Sequence, residues 1–140
     1  MLKLFGNRKK TTLPEEVRMH YSASSFSFAM GDVFPCSEAE EAKLLLKDRQ
    51  GYIVVLVPGE DLLAEPRPWV KALSLVSYVV VFGDEKEKYL KRFLTLLDGQ
   101  IFSPIPKTLA GSICVSNPTD VKKVVQSLPN SNRCITIIPR

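Results

Sequence analysis

Residues 52–57 read YIVVLV and residues 78–82 read YVVVF, and the two runs decide the fold. Both are apolar throughout and rich in β-branched residues. Pro58-Gly59 ends the first run and Gly83-Asp84 ends the second. A strand with one wet face alternates apolar and polar residues, so continuous runs of this kind indicate strands covered on both faces, as in a parallel sheet.

Three further strands are predicted around these two. They lie at Phe26–Met30, which Gly31-Asp32 ends, at Ser112–Ser116, and at Cys134–Ile138. Two parallel strands that follow each other in the chain are joined by a crossover connection, which is usually a helix. A helix-start pattern occurs between each pair of consecutive predicted strands.

The predicted helices begin at recognisable caps. Ser37–Glu40 has the pattern of a capping box, which predicts a helix running to about Gln50. Pro66-Arg67-Pro68 suits the first turn of a second helix, and Asp84 is placed as the N-cap of a third, with Glu87 at N3. Asn117 is expected to cap a fourth helix, with Pro118 at N1 and Asp120 at N3.

Five strands alternating with four helices predict an α/β fold: a single three-layer domain whose strands are mostly parallel. The chain of 140 residues is of ordinary single-domain length. We assign residues 1–22 to a basic, partly apolar tail with an irregular lead-in, and residues 23–140 to the α/β domain.

The positive charge of the chain is unevenly distributed. There are 19 Lys+Arg against 15 Asp+Glu, for a formal net charge of +4. Lys3, Arg8, Lys9 and Lys10 fall in the first ten residues, which leaves 15 basic and 15 acidic residues in positions 11–140. A neutral body argues against a broad nucleic-acid-binding face on the domain itself.

Cysteine and glycine usage restrict the chemistry. Cys36, Cys114 and Cys134 are odd in number and lack C-x-x-C spacing, which favours a reducing, cytoplasmic setting over a disulfide scaffold or zinc site. No apolar run reaches the roughly 20 residues of a membrane span, and the N-terminus lacks the apolar core of a signal peptide. No glycine-rich phosphate-binding loop is present, so we expect neither a cofactor nor a metal.

Polar residues follow the predicted strands at the edge where ligands bind in such folds. Asp32, Glu60, Asp61, Asp84 and Ser116 form this candidate strand-end cluster. Helix caps and turns explain the same residues, because Asp is common in both positions.

The order of these strand-end groups resembles the receiver domain of two-component response regulators, which has a flavodoxin-like fold. Asp84 and Ser116 are 32 residues apart, and Ser116 and Ile138 are 22 apart, similar to the spacing in that family. The resemblance implies that Asp84 is the phosphate acceptor, Asp32 a Mg²⁺ ligand and Ser116 the hydroxyl that contacts the phosphoryl group. Asp32 follows a glycine where the family has a second acid, and Ile138 occupies the lysine position. The resemblance therefore implies a degenerate receiver that does not signal by phosphorylation.

The N-terminal decapeptide combines apolar and cationic side chains. The candidate membrane- or partner-binding residues are Leu2, Lys3, Leu4, Phe5, Arg8, Lys9 and Lys10. Each basic residue near an anionic leaflet contributes about 1 kcal/mol, and inserted apolar side chains add to this. A disordered solubilising tail is the alternative interpretation.

The leading functional hypothesis is a non-catalytic protein–protein interaction domain, an adaptor in a cytosolic or membrane-proximal assembly. It binds a protein partner or a second copy of itself, and the tail adds contact with an anionic membrane. The alternative is a small enzyme or ligand-binding domain that uses the strand-end cluster. The third hypothesis is nucleic-acid binding through the tail.

Overall fold

The structure of the chain is a computed structural model that describes residues 29–99 and 109–140. Within these ranges it contains five strands and five helices. The strands are β1 (Asp32–Pro35), β2 (Ile53–Leu56), β3 (Tyr78–Phe82), β4 (Gly111–Val115) and β5 (Cys134–Ile138). The helices are α1 (Ala39–Lys47), α2 (Glu60–Ala64), α3 (Pro66–Leu73), α4 (Lys88–Asp98) and α5 (Pro118–Gln126).

The five strands form one parallel sheet with the spatial order β1-β5-β2-β3-β4. The last strand in the chain lies between the first two, so that Val54 of β2 is level with Ile135 of β5 and Val79 of β3. The flavodoxin-like order is 2-1-3-4-5. The sheet is a circular permutation of that order: β5 occupies the position of strand 1, and β1 to β4 occupy the positions of strands 2 to 5. The predicted fold class, a single three-layer α/β domain with mostly parallel strands, is confirmed.

The direction of each crossover determines which face of the sheet its helix covers. From β1 through β2 and β3 to β4 the chain moves one way across the sheet, and right-handed crossovers place α1, α2, α3 and α4 on one face. The connection from β4 to β5 runs back the other way, so α5 lies on the opposite face. The buried side chains divide accordingly into two apolar clusters.

The central strand β2 contributes to both clusters. Val54 and Leu56 face the four-helix layer, whereas Ile53 and Val55 face the layer of α5. All four side chains have 0% exposure. The prediction that this run is covered on both faces is therefore confirmed.

Strand boundaries follow the sequence closely, except at the first strand. β3 and β5 have the predicted bounds. A strand was expected at Phe26–Met30, and that prediction was wrong for Ala29 and Met30, which are not in a strand; the strand at Asp32–Pro35 was not predicted. Residues 26–28 lie outside the described residues. β1 has an acid at one end and a proline at the other, a composition that does not indicate a strand; its pairing with β5 is what makes it extended.

The first helix differs from its prediction at both ends, and one helix was not predicted. The carboxylate of Glu41, not Glu40, accepts hydrogen bonds from the backbone N–H groups of Ser37 and Glu38, at 2.7 and 3.1 Å, so α1 begins one residue later. It ends at Lys47 rather than near Gln50. The five-residue helix α2, before α3, was not predicted.

Two further observations concern membrane-spanning helices and the residues that the structure does not describe. No described helix has both the length and the apolar character that a membrane span requires. The tail residues 1–10, the rest of the 1–22 lead-in and residues 100–108 lie outside the described residues.

Candidate functional site at the carboxyl edge of the sheet

The carboxyl ends of the five strands meet at one edge of the sheet, and four of the five predicted cluster residues lie there. Glu60 and Asp61 follow β2, Asp84 follows β3, and Ser116 follows β4. Since β2, β3 and β4 are consecutive in the sheet, these residues share one stretch of the edge.

Asp32 lies at the other edge. It is the first residue of β1 and is level with Ile135, near the start of β5. Two strands lie between β1 and β3. Measured across the sheet, Asp32 is therefore roughly 14 Å from β3, the strand that Asp84 follows. The metal-ligand position implied for Asp32 is therefore not next to Asp84, because the strand that Asp32 was expected to follow is the strand that it begins.

Asp84 has a local structural role, although not the predicted one. Its carboxylate accepts a hydrogen bond from the backbone N–H of Lys86 at 2.9 Å, which closes an exposed turn. The N-cap of α4 is Glu87, whose side chain accepts from the N–H of Leu90 at 2.9 Å. The prediction of Asp84 as N-cap was wrong by three residues, because the turn at Asp84 precedes the helix.

Asp61 is held by a buried tryptophan. The Nε1–H of Trp69 donates to Oδ2 of Asp61 at 2.8 Å, and Trp69 is 3% exposed. This bond joins α2 to α3 and satisfies the polar atom of a ring that is otherwise packed in the core. Glu60 lies beside it in the exposed first turn of α2.

The chain after Ser116 starts the opposite layer of the domain. Ser116 is exposed, and Asn117 caps α5 by accepting from the N–H of Thr119 at 3.0 Å and from its hydroxyl at 2.9 Å. The predicted cap at Asn117 is confirmed, as is Pro118 at the start of the helix.

β3 and β4 are neighbouring strands whose following helices, α4 and α5, lie in opposite layers. Here the two strand ends are hydrogen-bonded to each other. The N–H of Gly83 donates to the carbonyl of Val115 at 2.9 Å, and Sγ of Cys114 donates to the carbonyl of Gly83 at 3.3 Å. A Cβ at Gly83 would lie 2.5 Å from Cδ2 of Leu90, so α4 packs directly against this turn.

A second polar cluster, which the sequence analysis missed, lies at the β1–β5 end of the same edge. Glu41 of α1 accepts from the N–H and the hydroxyl of Ser37, and its Oε2 lies 2.5 Å from Nη1 of Arg140. The hydrogen bond from the Ser37 backbone is the main cause that lowers the pKa of Glu41, with Glu38 and Arg140 adding to it. The signal in the sequence was the acid three residues after Glu38, shifted by one from the predicted capping box.

The three thiols are not activated for nucleophilic chemistry. Burial raises the pKa of Cys114 and Cys134 to about 11, with Glu85 and Asp84 adding to the effect at Cys114. Burial and then Glu41 raise the pKa of Cys36. Because the thiolate is the reactive form, all three are protonated at neutral pH.

The carboxyl edge is acidic for a structural reason. Helices of right-handed crossovers run antiparallel to the strands, so their N-termini gather at this edge, and acids there interact favourably with the helix dipoles. The first turns carry Glu40, Glu41, Glu60, Asp61 and Asp120. Among the described residues, no three His, Cys, Asp or Glu side chains are grouped so that they could hold a metal ion.

Comparison with protein-family models, with curated proteins and with solved structures finds no match to this chain. A functional assignment therefore depends on the geometry of the domain itself.

Proposed function

We propose that this chain is a non-catalytic protein–protein interaction domain that serves as an adaptor in a cytosolic or membrane-proximal assembly. One observation carries the proposal: the turn after β3 is filled by the domain itself, because Gly83 is hydrogen-bonded to Val115 and Cys114 of β4 and Leu90 of α4 lies where a Cβ at Gly83 would be. A ligand group placed beside Gly83 would have to displace Leu90.

The acidic groups of the edge support the same proposal. Asp84 closes a turn and Asp61 binds the Trp69 ring nitrogen, so each has a local structural partner. General acid–base catalysis needs a group within hydrogen-bond reach of a substrate and with a suitable pKa. In a receiver, phosphorylation needs a strand-three carboxylate beside a metal-binding acid, and Asp32 lies at the opposite edge from Asp84.

The absence of phosphoryl transfer can be tested directly. The full chain is incubated with Mg²⁺ and acetyl phosphate, and its intact mass is measured before and after. We expect no phosphorylated species in the wild type, as in an Asp84→Asn control. Stoichiometric labelling of the wild type that the Asp84→Asn variant lacks would refute the proposal in favour of a phosphate-accepting receiver.

The interaction itself is tested by site-specific photocrosslinking of the full chain in its native host. A crosslinking residue is placed in separate variants at four exposed positions. Leu44 of α1 and Thr95 of α4 lie on the outer side of one helix layer, Gln126 lies on α5 in the opposite layer, and Val33 lies on the edge strand β1. An adaptor should give one defined crosslinked protein from adjoining positions and none from the opposite side. A crosslink to a second copy would identify a homo-oligomer, and the absence of any crosslinked protein at all four positions would contradict the proposal.

A further inference from the structure

The outer side of α4 is cationic. Leu90, Phe93 and Leu97 have 0% exposure and face the sheet. Lys88, Lys91 and Arg92 are exposed and lie on the other side of the helix, at the i, i+3 and i+4 spacing that places side chains on one face.

The neighbouring helix α3 has the same arrangement. Trp69 and Leu73 are buried on its inner side. Arg67 and Lys71 are exposed on its outer side, four residues apart, and so lie one above the other.

The third helix of the layer, α1, adds two cations and one large apolar side chain. Ala42 and Leu46 have 0% exposure, whereas Lys43, Leu44 and Lys47 are exposed. Leu44 is 65% exposed, and the one other large hydrophobic side chain exposed among the described residues is Val33, at 42%.

These three helices lie side by side, since α3 contacts both α1 and α4. We name their common outer surface the helix-layer face. Its members are Lys43, Leu44, Lys47, Arg67, Lys71, Lys88, Lys91 and Arg92. Packed helix axes are about 8–10 Å apart, so the rows of side chains extend over roughly 20 Å.

Few acids oppose this charge. Most carboxylates lie at the carboxyl edge, where the helices begin. Glu40 shares the outer row of α1, and the exposed Asp48, four residues after Leu44, follows the end of that helix. Asp98 at the end of α4 accepts a hydrogen bond from the hydroxyl of Ser112 in β4 at 2.5 Å. Within the described residues, none of the seven cations forms an ion pair; the pair found there is Arg140 with Glu41. Although the total charge of residues 11–140 is balanced, this face carries an excess of positive charge.

We propose that the helix-layer face is a docking surface for an anionic lipid leaflet. Lysines outnumber arginines on it, and a lysine ammonium is a point charge that does not require the fixed bidentate geometry of specific recognition. Basic residues near an anionic leaflet contribute additively to binding, and the exposed Leu44 can enter the interface.

Two other partners fit the face less well. Proteins that bind single-stranded nucleic acid stack bases on exposed aromatic rings, and the aromatic side chains of α3 and α4 are inward or half-buried. A protein interface is dominated by buried aromatic and apolar anchors, whereas this face has one leucine among its cations. The proposal is independent of the N-terminal tail and of the adaptor function.

The test compares two charge-reversal variants of the full chain that have the same net charge. Lys71→Glu with Lys91→Glu and Arg92→Glu alters the helix-layer face. Lys122→Glu with Lys123→Glu and Arg133→Glu is the matched control, because these three cations are exposed on α5 and before β5. Sedimentation is measured with vesicles of phosphatidylcholine alone and with phosphatidylglycerol added, at low and high salt, and circular dichroism checks that both variants are folded.

We expect the wild type to bind the anionic vesicles at low salt, and the helix-layer variant to bind them about tenfold more weakly or worse. The control variant should change by less than about threefold, since it alters only the general charge of the protein. A Leu44→Ser variant should also bind more weakly, by a smaller factor than the helix-layer variant.

Several outcomes would overturn the proposal. Equal loss in the two charge-reversal variants would mean that binding depends only on net charge. Full binding by the helix-layer variant, lost on deletion of residues 1–10, would assign the membrane contact to the tail. Equal binding to neutral vesicles would exclude an electrostatic surface, and binding of an RNA duplex or an acidic protein by the wild type without vesicle binding would identify another class of partner.

Discussion

The hydroxyl of Thr136 bonds to both backbone groups of Met30. It accepts from the N–H of Met30 at 2.8 Å and donates to the carbonyl of Met30 at 2.9 Å. Thr136 lies in β5 with 0% exposure, and Met30 is two residues before β1. One buried side chain thus takes the place of a strand neighbour and positions the segment that enters β1.

We expect Thr136→Val to destabilise the domain by about 1–3 kcal/mol, because it leaves two polar groups of Met30 without their partner while it preserves the shape of the side chain. Urea unfolding followed by circular dichroism measures the change. Thr136→Ser retains the hydroxyl and is the control. A Thr136→Val variant as stable as Thr136→Ser would show that the two hydrogen bonds contribute little.

A paired substitution separates backbone strain from steric conflict at two glycines. Gly31 and Gly51 have φ of +71° and +83°. A Cβ at Gly31 would collide with the carbonyl oxygen of Cys134, whereas at Gly51 the nearest atom, Oγ of Ser77, is 3.9 Å away. Gly51→Ala should cost about 1–2 kcal/mol for the left-handed conformation alone.

Gly31→Ala should destabilise the domain clearly more than Gly51→Ala, because β1 must move away from β5 to accommodate the methyl group. The midpoints of urea unfolding of the two variants give the comparison. Equal destabilisation would mean that the close approach of Gly31 to β5 is not required for the stability of the domain.

The low pKa of Glu41 predicts an acid dependence of stability. A carboxyl group whose pKa is lower in the folded chain than its ordinary value of 4.5 stabilises the fold above that pH, and loses this effect as the pH falls through the folded value. Glu41→Gln should therefore lower the melting temperature at pH 7, and the difference from the wild type should shrink below pH 4.5. Glu40→Gln, one residue earlier in the same helix, is the control and should show a smaller difference at pH 7.

The buried thiols predict a loss of stability in alkali. Burial raises the pKa of Cys134 from 9.0 to about 11. A thiol with a raised pKa stabilises the folded state fully below pH 9, and the stabilisation declines between pH 9 and 11 as the unfolded chain loses the proton first. Cys134→Ala should flatten the stability curve in this interval. An unchanged slope would mean that other groups determine the alkaline transition.

The sequence predicted those parts of the fold that depend on local composition. The runs at residues 53–56 and 78–82 are strands because no other element buries both sides of a short β-branched segment, and Asn117-Pro118 starts a helix through its own backbone chemistry. β1 was misplaced because its extended conformation comes from pairing with β5, about a hundred residues away in the chain.

The candidate site also depends on contacts between residues that are distant in the sequence. Which strand ends are neighbours depends on the strand order, and a sequence in which β5 inserts between β1 and β2 looks like one in which the strands follow in turn. Asp32 was grouped with Asp84 because the first strand was expected to end before it, whereas Asp32 begins β1 and so lies at the other edge. The balanced charge of residues 11–140 likewise conceals where the charges lie, because the crossovers collect acids at one edge and leave the lysines on the outer rows of the helices.

The place of β5 in the sheet has a consequence for synthesis on the ribosome. The strands β2, β3 and β4 can pair as soon as they are made, but β1 and one edge of β2 have their partner in residues 134–138. Until those residues emerge, a nascent chain exposes an apolar strand edge of the kind that pairs with other chains. Residues 134–138 thus complete the five-stranded sheet, and a chain interrupted before residue 134 should depend on chaperones to stay soluble.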